Sequence, residues 1–204
     1  VTDELIQVMR QEKKIAHYLD IPIQHGSDRI LERMNRKDRI DEIRSVVFRL
    51  RTAIPDIILR TTVMVGFPGE TEDDFSALMA LLSELRFDRL GCFIFSPEEG
   101  TPAFHMRPRV HHQTAKKRQR LVLEQQQTIS RESQMKRIGQ VLDVTLESVD
   151  DHGIFYLGRS YGEAPEVDPV IFVADTSGDV ELGQTRPVRL VEAGAYEMTG
   201  VTIR

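Results

Sequence analysis

Cysteine is almost absent from this sequence, since Cys92 is the only one among 204 residues. A single thiol excludes an internal disulfide framework and indicates a reducing compartment, which we take to be the cytoplasm. It also excludes a metal cluster whose thiolate ligands all come from this chain. Because the neighbours of Cys92 are apolar, we predict a small buried strand residue with a raised thiol pKa, and not a reactive thiol.

Long apolar runs are missing as well. No stretch approaches the roughly 20 apolar residues that a membrane-spanning helix needs, so we expect no membrane partner. The first residues read Val-Thr-Asp-Glu and show no signal or transit segment. Because there is no initiator methionine either, we interpret the chain as a piece of a longer protein.

Charge is distributed unevenly along the chain. Residues 1–137 carry 23 Lys and Arg against 20 Asp and Glu, a balance of +3, whereas residues 138–204 carry four Arg against twelve acids, a balance of −8. The pattern of apolar residues changes near the same point. We therefore predict two domains, residues 1–137 and residues 138–204.

Strand and helix patterns alternate in the first domain. Buried strands are predicted at 18–24, 57–65 and 90–95, with amphipathic helices between them. This alternation indicates a parallel sheet, and because only about three β/α units fit, we predict a partial (β/α) barrel in an α/β fold. A long polar helix is predicted over 112–136, and its basic residues suit either a solvated linker or a phosphate-contacting face.

The second domain consists of short strand patterns with a turn signal about every ten residues. The predicted strands are 140–149, 154–159, 170–173, 185–192 and 197–203. Five short strands in so few residues are typical of a small antiparallel β-barrel of the oligonucleotide-binding kind.

Three predicted strand ends carry glycine, proline and polar residues. They read IPIQHGS at 21–27, VGFPGE at 65–70 and FSPEEGT at 95–101. Because the carboxyl ends of parallel strands share the edge at which α/β proteins bind ligands, we expect these segments to form one mouth. Taken alone, the middle segment also fits a plain strand-to-helix turn, and it lacks the Lys-Ser/Thr ending of a phosphate loop.

The sequences VGFPGETEDDF and FSPEEGTPA, in this order and spacing, resemble the second half of the radical S-adenosylmethionine domain of methylthiotransferases. The C-terminal barrel is similar to the TRAM domain that closes these enzymes. Within this family, YLDIPIQHGSDRILERMNR and GRSYGEAPEVDPVIFV are most similar to the RimO type, which methylthiolates an aspartate of a small-subunit ribosomal protein. The tRNA-modifying relatives usually have His-Leu-Pro where this chain has Leu-Asp-Ile-Pro at 19–22.

The resemblance implies a mechanism that uses S-adenosylmethionine and two 4Fe–4S clusters. One cluster would cleave the cofactor to a 5′-deoxyadenosyl radical, which would take a hydrogen from the aspartate β-carbon, and the second would help to deliver sulfur. The first cluster needs three cysteines in a Cys-x₃-Cys-x₂-Cys loop, which this sequence lacks. We therefore expect the cluster ligands outside this chain, no metal-binding or catalytic residue within it, and no turnover by the chain alone.

The resemblance also implies which residues of this chain bind the cofactor. Gly66 would let the strand backbone pass close to the adenosyl group. Thr62 and Arg60 would hold the cofactor carboxylate, with a surface salt bridge as the alternative for Arg60.

The other two strand ends would contribute the remaining contacts. Gln24 would bond the ribose hydroxyls, and Phe95 with Ser96 would flank the adenine, although Phe95 also fits an ordinary core position. His25 is suited either to acid–base catalysis or to a local hydrogen bond. Glu70 is suited either to contact the cofactor or to stabilise the dipole of the next helix.

The negative charge of the predicted C-terminal barrel indicates what kind of partner it binds. Negative surface charge repels phosphates and attracts Lys- and Arg-rich proteins, so we expect a basic small-subunit ribosomal protein, bound by the TRAM-like domain, ahead of tRNA. Two alternatives stay open: a tRNA adenosine methylthiotransferase, and a non-enzymatic docking module. Cysteine motifs upstream of Val1 would favour an enzyme.

Overall fold

The computed structural model describes residues 1–175 and 178–203, which divide into two compact units. The first unit comprises residues 1–15 and 19–129, and the second comprises residues 16–18 and 130–204. The domain boundary at residue 137 stays a prediction. No helix in the described part of the chain is both long enough and apolar enough to cross a membrane.

The first unit is built from parallel strands connected by helices. Its elements in chain order are α1 (Asp3–Gln11), β1 (Tyr18–Asp20), α2 (Asp28–Arg33), α3 (Ile40–Ala53), β2 (Ile58–Val65), α4 (Glu72–Leu85), β3 (Arg89–Ile94), a 3₁₀ turn (Pro102–His105) and α5 (His112–Met135). The first residue of β1 and the last turns of α5 are assigned to the second unit. The strands form one sheet in the order β1-β2-β3. β2 and β3 run parallel, and Gln24 extends the β1 side of the sheet through a parallel bridge to Val63. The predicted parallel α/β arrangement is confirmed.

The central strand, β2, has two different faces. Thr61, Val63 and Val65 are buried, whereas the residues between them are partly exposed. This period-2 pattern follows from the alternation of side chains across a strand. The buried face packs into a core with apolar residues of the helices, including Leu50 of α3 and Leu78 of α4. The partly exposed face carries Arg60, Thr62 and Met64.

Helix α4 begins immediately after the glycine-rich turn because its first residues form a capping box. The Thr71 hydroxyl accepts from the Asp74 backbone N–H, and the Asp74 carboxylate accepts from the Thr71 backbone N–H. Ser27 precedes α2 and is of a residue type that often caps helices, but its hydroxyl donates to Asp74 across 2.7 Å and does not cap its own helix.

Helix α1 was not predicted from the sequence. Thr2 caps it, Asp3 and Glu4 lie in its first turn, and Ile6 and Met9 form its buried face. A cap, early acids and an i, i+3 apolar pair are ordinary helix signals, so the sequence contained the information.

The second unit is a closed five-stranded barrel. Its strands are β4 (Val141–Val149), β5 (Tyr156–Arg159), β6 (Ile171–Ala174), β7 (Thr185–Ala193) and β8 (Met198–Thr202), in the closed order β4-β5-β6-β8-β7. The predicted five-stranded barrel is confirmed, with one difference. The pairing of β6 with β8 is parallel, so the barrel is mixed. Two antiparallel pairings lead from β4 to β6, through β5, and two lead from β4 to β8, through β7. Both β6 and β8 therefore run in the direction of β4, and they are parallel where they close the barrel.

Buried charges fix the loop between β5 and β6. Arg137 donates to Glu163 across 2.8 Å, and both side chains are buried. Tyr18, which belongs to this unit, donates its hydroxyl to Asp168 across 2.7 Å. Because each of these carboxylates accepts a hydrogen bond, neither is an isolated buried charge, which would destabilise the loop.

Candidate ligand-binding site

The three predicted strand ends lie at the same edge of the parallel sheet. The Gln24 N–H donates to the Thr62 carbonyl across 2.9 Å, and the Met64 N–H donates to the Gln24 carbonyl across 2.8 Å. On the other side of β2, the Phe95 N–H donates to the Val65 carbonyl across 2.9 Å. These bonds fix the backbones that follow the strands, so their side chains and loops share one rim.

A cleft of about 510 Å³ opens at this rim. Among the predicted site residues, Gln24, Phe95 and Ser96 line it. Met64 and Phe67 line it too, together with residues of the segment that contains the 3₁₀ turn. Its volume lies in the range of small-molecule sites, and its wall combines apolar rings with a few polar groups, as such sites usually do.

Two aromatic rings give the cleft its apolar character. Phe67 and Phe95 pack edge to face, with centroids 5.1 Å apart and an angle of 72° between the rings. Phe67 is buried and Phe95 is half-buried. The pair therefore offers a fixed apolar surface to a planar group.

Gln24 is the polar group with a constrained backbone. Its φ of 66° is in the left-handed region, which is uncommon for a residue with a side chain. Both of its backbone groups bond to β2, so this conformation is held by the sheet. The half-buried carboxamide can both donate and accept hydrogen bonds at the rim.

Gly66 does not line the cleft that Gln24 lines. It borders a smaller neighbouring cleft of about 160 Å³, to which Phe95 also contributes. A Cβ atom on Gly66 would come within 2.6 Å of the Ala115 side chain on α5. At this point the missing side chain makes room for a helix, and a cofactor contact of the Gly66 backbone stays a prediction.

Arg60 and Thr62 lie on the partly exposed face of β2 but line neither cleft. The Arg60 guanidinium forms an ion pair with Asp20, with 3.3 Å between Nε and the carboxylate. Of the two alternatives for Arg60, a salt bridge and a cofactor contact, the structure thus contains the salt bridge. Binding of a cofactor carboxylate by either residue stays a prediction.

Glu70 is buried behind the turn. Its Oε2 accepts hydrogen bonds from the backbone N–H groups of Gly66 and Phe67, the latter across 3.1 Å. Its Oε1 lies 3.2 Å from the Arg118 guanidinium and 3.8 Å from Nε2 of His25. The Glu70 carboxylate therefore holds the turn, a role that neither sequence-based alternative included.

His25 and Cys92 lie in the same buried region. His25 is fully buried, and its Nδ1 accepts from the Ser27 N–H across 3.1 Å, which agrees with the local hydrogen-bond alternative. Burial, with a contribution from the negative charge of Glu70, raises the pKa of the Cys92 thiol to about 12. The prediction of a buried, unreactive thiol is confirmed for burial and for the direction of the pKa.

Asp74 joins the turn to α2. Burial alone would raise its pKa, but hydrogen bonds from Arg29, Thr71 and Ser27 outweigh burial and hold the pKa well below its usual range. Arg29 also donates to the Gly69 carbonyl across 2.7 Å. The carboxylate thus stays charged and fixes the start of α4 beside the candidate site.

Sequence reasoning missed several residues of the site. Met64 could have been found, since it follows Thr62 by two positions and must share its face of β2. The contacts of Glu70 with Arg118 carried no local signal, because 48 positions separate the two residues. Among the described residues there is no group of three or more His, Cys, Asp or Glu side chains arranged to hold a metal ion.

Comparison with known proteins agrees with the two units. Residues 1–82 match the Radical SAM superfamily, and residues 138–203 match the TRAM domain. Among solved structures, coproporphyrinogen III oxidase (HemN) from Escherichia coli, a radical SAM enzyme, superposes with a TM-score of 0.54. That match covers 63% of this chain and 30% of the other at 15% identity, so it supports the fold alone.

Curated relatives match nearly the whole chain. Ribosomal protein uS12 methylthiotransferase RimO of Alkaliphilus oremlandii is 42% identical over 98% of this chain, and that of Lachnoclostridium phytofermentans is 44% identical over 98%. That of Desulfitobacterium hafniense is 41% identical over 100%. This chain covers 46%, 45% and 45% of these proteins, respectively, so it spans about half the length of the relatives it matches.

The fold and the family matches define the class: the chain carries part of a radical S-adenosylmethionine domain followed by a TRAM domain. The more specific resemblance, to methylthiotransferases of the RimO type, is confirmed by relatives about 40% identical over nearly all of it.

Proposed function

We propose that this chain is part of a ribosomal protein methylthiotransferase, in which it forms one wall of the S-adenosylmethionine pocket and supplies the TRAM domain. The observation that carries the proposal is the cleft at the shared strand ends, with Gln24 and the Phe67–Phe95 pair on its wall. The similarity to RimO proteins supports the same reaction class.

The residues present fit an adenosyl ligand. A carboxamide with both donor and acceptor groups suits two ribose hydroxyls, and a rigid aromatic pair suits a purine. Gln24 would orient the ribose, while Phe95 and Ser96 would border the base and exclude water from it. Thr62 would hold the cofactor carboxylate, together with Arg60 if its guanidinium shares Asp20.

When bound, S-adenosylmethionine and the two 4Fe–4S clusters of the complete enzyme supply the radical chemistry and the sulfur transfer to the β-carbon of an aspartate. With one cysteine, this chain does not contain the thiolates for either cluster, so we place those ligands in other parts of the protein. Its own contribution is binding and orientation, and we expect the 204 residues to be inactive alone.

The acidic barrel suggests how the substrate is bound. Exposed acids lie on its strands and turns, among them Asp143 and Glu147 of β4 and Glu192 of β7. Such a surface favours a Lys- and Arg-rich protein over tRNA, and a ribosomal protein in the cytoplasm has this composition. Because exposed charges are screened by salt, the association should weaken steeply as ionic strength rises.

The test uses the full-length protein with its clusters reconstituted, S-adenosylmethionine, a sulfur source, and either the small-subunit ribosomal protein or tRNA. We expect mass spectrometry to find a methylthio group on an aspartate of the ribosomal protein and none on tRNA. The 204-residue chain under the same conditions is the matched control, with no product expected. A methylthio group on a tRNA adenosine, with the protein unmodified, would reverse the proposal. No product on either substrate would favour a docking module.

A further inference from the structure

The turn that follows β2 is held from behind by a buried ion pair. Both side chains are almost completely buried, with Glu70 0% and Arg118 7% exposed. The two atoms of the pair, Glu70 Oε1 and an Arg118 guanidinium nitrogen, lie 3.2 Å apart. A charge buried this deeply is costly unless it is paired, so each of the two side chains depends on the other.

The two carboxylate oxygens of Glu70 have different tasks. Oε2 accepts from the backbone N–H groups of Gly66 and Phe67, and hydrogen bonds to an ionised acceptor are the strong ones. Oε1 faces Arg118 and, at 3.8 Å, Nε2 of His25. Through one carboxylate, the charge of Arg118 therefore acts on the backbone that positions Phe67.

Helix α5 also contacts the turn and its neighbouring elements at further points. The Ala115 side chain occupies the space that a Cβ on Gly66 would need, and the Gln119 amide donates to the Cys92 carbonyl of β3 across 2.7 Å. Arg118 also lies over the ring of Phe75 on α4, 5.3 Å from its centroid. Contacts of α5 thus reach the end of β2, the first turn of α4 and β3.

From these contacts we propose that Glu70 and Arg118 are positioning residues for the candidate site, and that α5 is a structural part of that site and not simply a linker. The pair holds the Gly66–Phe67 backbone, and through it the ring that packs on Phe95. The proposal deepens the proposed function and rests on it, because it assumes that the wall positioned by the pair is the one that binds S-adenosylmethionine.

The variant that tests the pair is Glu70→Gln, which keeps the size of the side chain and removes its charge. Its matched control is Glu72→Gln, because Glu72 accepts from the same guanidinium across 2.9 Å but is 77% exposed. Amide hydrogen exchange of Gly66 and Phe67, followed by NMR on the 204-residue chain, reports on the turn itself. Titration with S-adenosylmethionine reports on the site.

We expect Glu70→Gln to speed exchange at Gly66 and Phe67 about tenfold or more relative to amides in the core, and to weaken cofactor binding by a similar factor. Glu72→Gln should change both by less than about twofold. Should Glu70→Gln fail to fold, Arg118→Met and Arg118→Lys provide the same comparison. The Met variant should behave as Glu70→Gln does, and the Lys variant, which keeps the charge, should recover most of the loss.

Unchanged exchange at Gly66 and Phe67 in Glu70→Gln and Arg118→Met would overturn the proposal. Changed exchange with unchanged cofactor affinity would also overturn it, since the pair would then be structural only. If the unsubstituted chain and the full-length protein both fail to bind S-adenosylmethionine, the proposed function fails, and the exchange data still decide whether Glu70 and Arg118 hold the turn.

Discussion

The side chain of Ala115 on α5 occupies the position that any side chain on Gly66 would take. A Cβ built on Gly66 would lie 2.6 Å from the Ala115 Cβ, closer than real Cβ contacts allow. The φ of Gly66 is 77°, in the region that favours glycine. Two independent constraints, backbone conformation and packing, therefore require glycine at the end of β2.

The first prediction concerns this position. Gly66→Ala should lower the free energy of unfolding by about 2 kcal/mol or more, because left-handed strain adds to an overpacked contact. Gly100→Ala is the control, since Gly100 has a φ of 84° but no atom within 4 Å of a built Cβ. It should show the backbone contribution alone, about 1 kcal/mol. Urea unfolding measures both, and equal losses would show that the Ala115 contact is unimportant.

The second prediction concerns Asp74, whose folded-state pKa is held below its usual value. A depressed carboxyl pKa contributes stability that is complete above the unfolded pKa, about 3.9, and is lost as the pH falls toward the folded-state pKa. At neutral pH, Asp74→Asn should lower the free energy of unfolding by about 1–3 kcal/mol, since it weakens a helix cap and an ion pair.

The pH dependence separates this effect from a general loss of packing. The difference between the unsubstituted chain and Asp74→Asn should shrink below about pH 4, because the Asp74 carboxyl takes up a proton in the unfolded chain while it is still ionised in the folded chain. Asp73→Asn is the control, as Asp73 is an exposed acid in the same helical turn. Denaturant titrations at several pH values measure both. A difference that is constant from neutral to acid pH would contradict the assigned cause.

Most of the fold could be predicted from the sequence because its signals are local. The apolar residues that mark β2 lie within a few positions of one another, and the strand was found where it was predicted. The barrel strands were marked by turns at regular spacing. The parallel pairing of β6 with β8 could not be predicted, because it depends on the order in which the sheet closes.

The candidate site could be predicted only in part. Gln24 and Phe95 were expected at one rim because parallel strands end together, and they line one cleft. What the local pattern did not contain is how the turn is held, since Glu70 and Ala115 act through contacts with distant parts of the chain. A carboxylate after a glycine-rich turn looks the same whether it faces a ligand, a helix end or a buried arginine.

The third prediction concerns the reactivity of Cys92. Since burial raises its pKa to about 12, almost no thiolate forms at about pH 8.5, where an unperturbed cysteine is half ionised. Reaction with a thiol-specific chromogenic disulfide should be at least about a hundredfold slower in the native chain than in guanidinium. Comparable rates in the two states would show that Cys92 is accessible and that its environment does not suppress ionisation.

The proposed function requires that the ends of three parallel strands form one wall of an adenosyl-cofactor pocket. Titrating the isotope-labelled chain with S-adenosylmethionine, and following backbone and glutamine side-chain NMR signals, tests it most directly. We expect saturable shifts at Gln24, Phe67, Phe95 and Ser96, weaker ones at Gly66, and loss of saturation in Gln24→Ala and Phe95→Ala. Shifts confined to the C-terminal barrel strands β4 to β8 would contradict the proposed pocket. So would the absence of shifts at these residues in both this chain and the full-length protein.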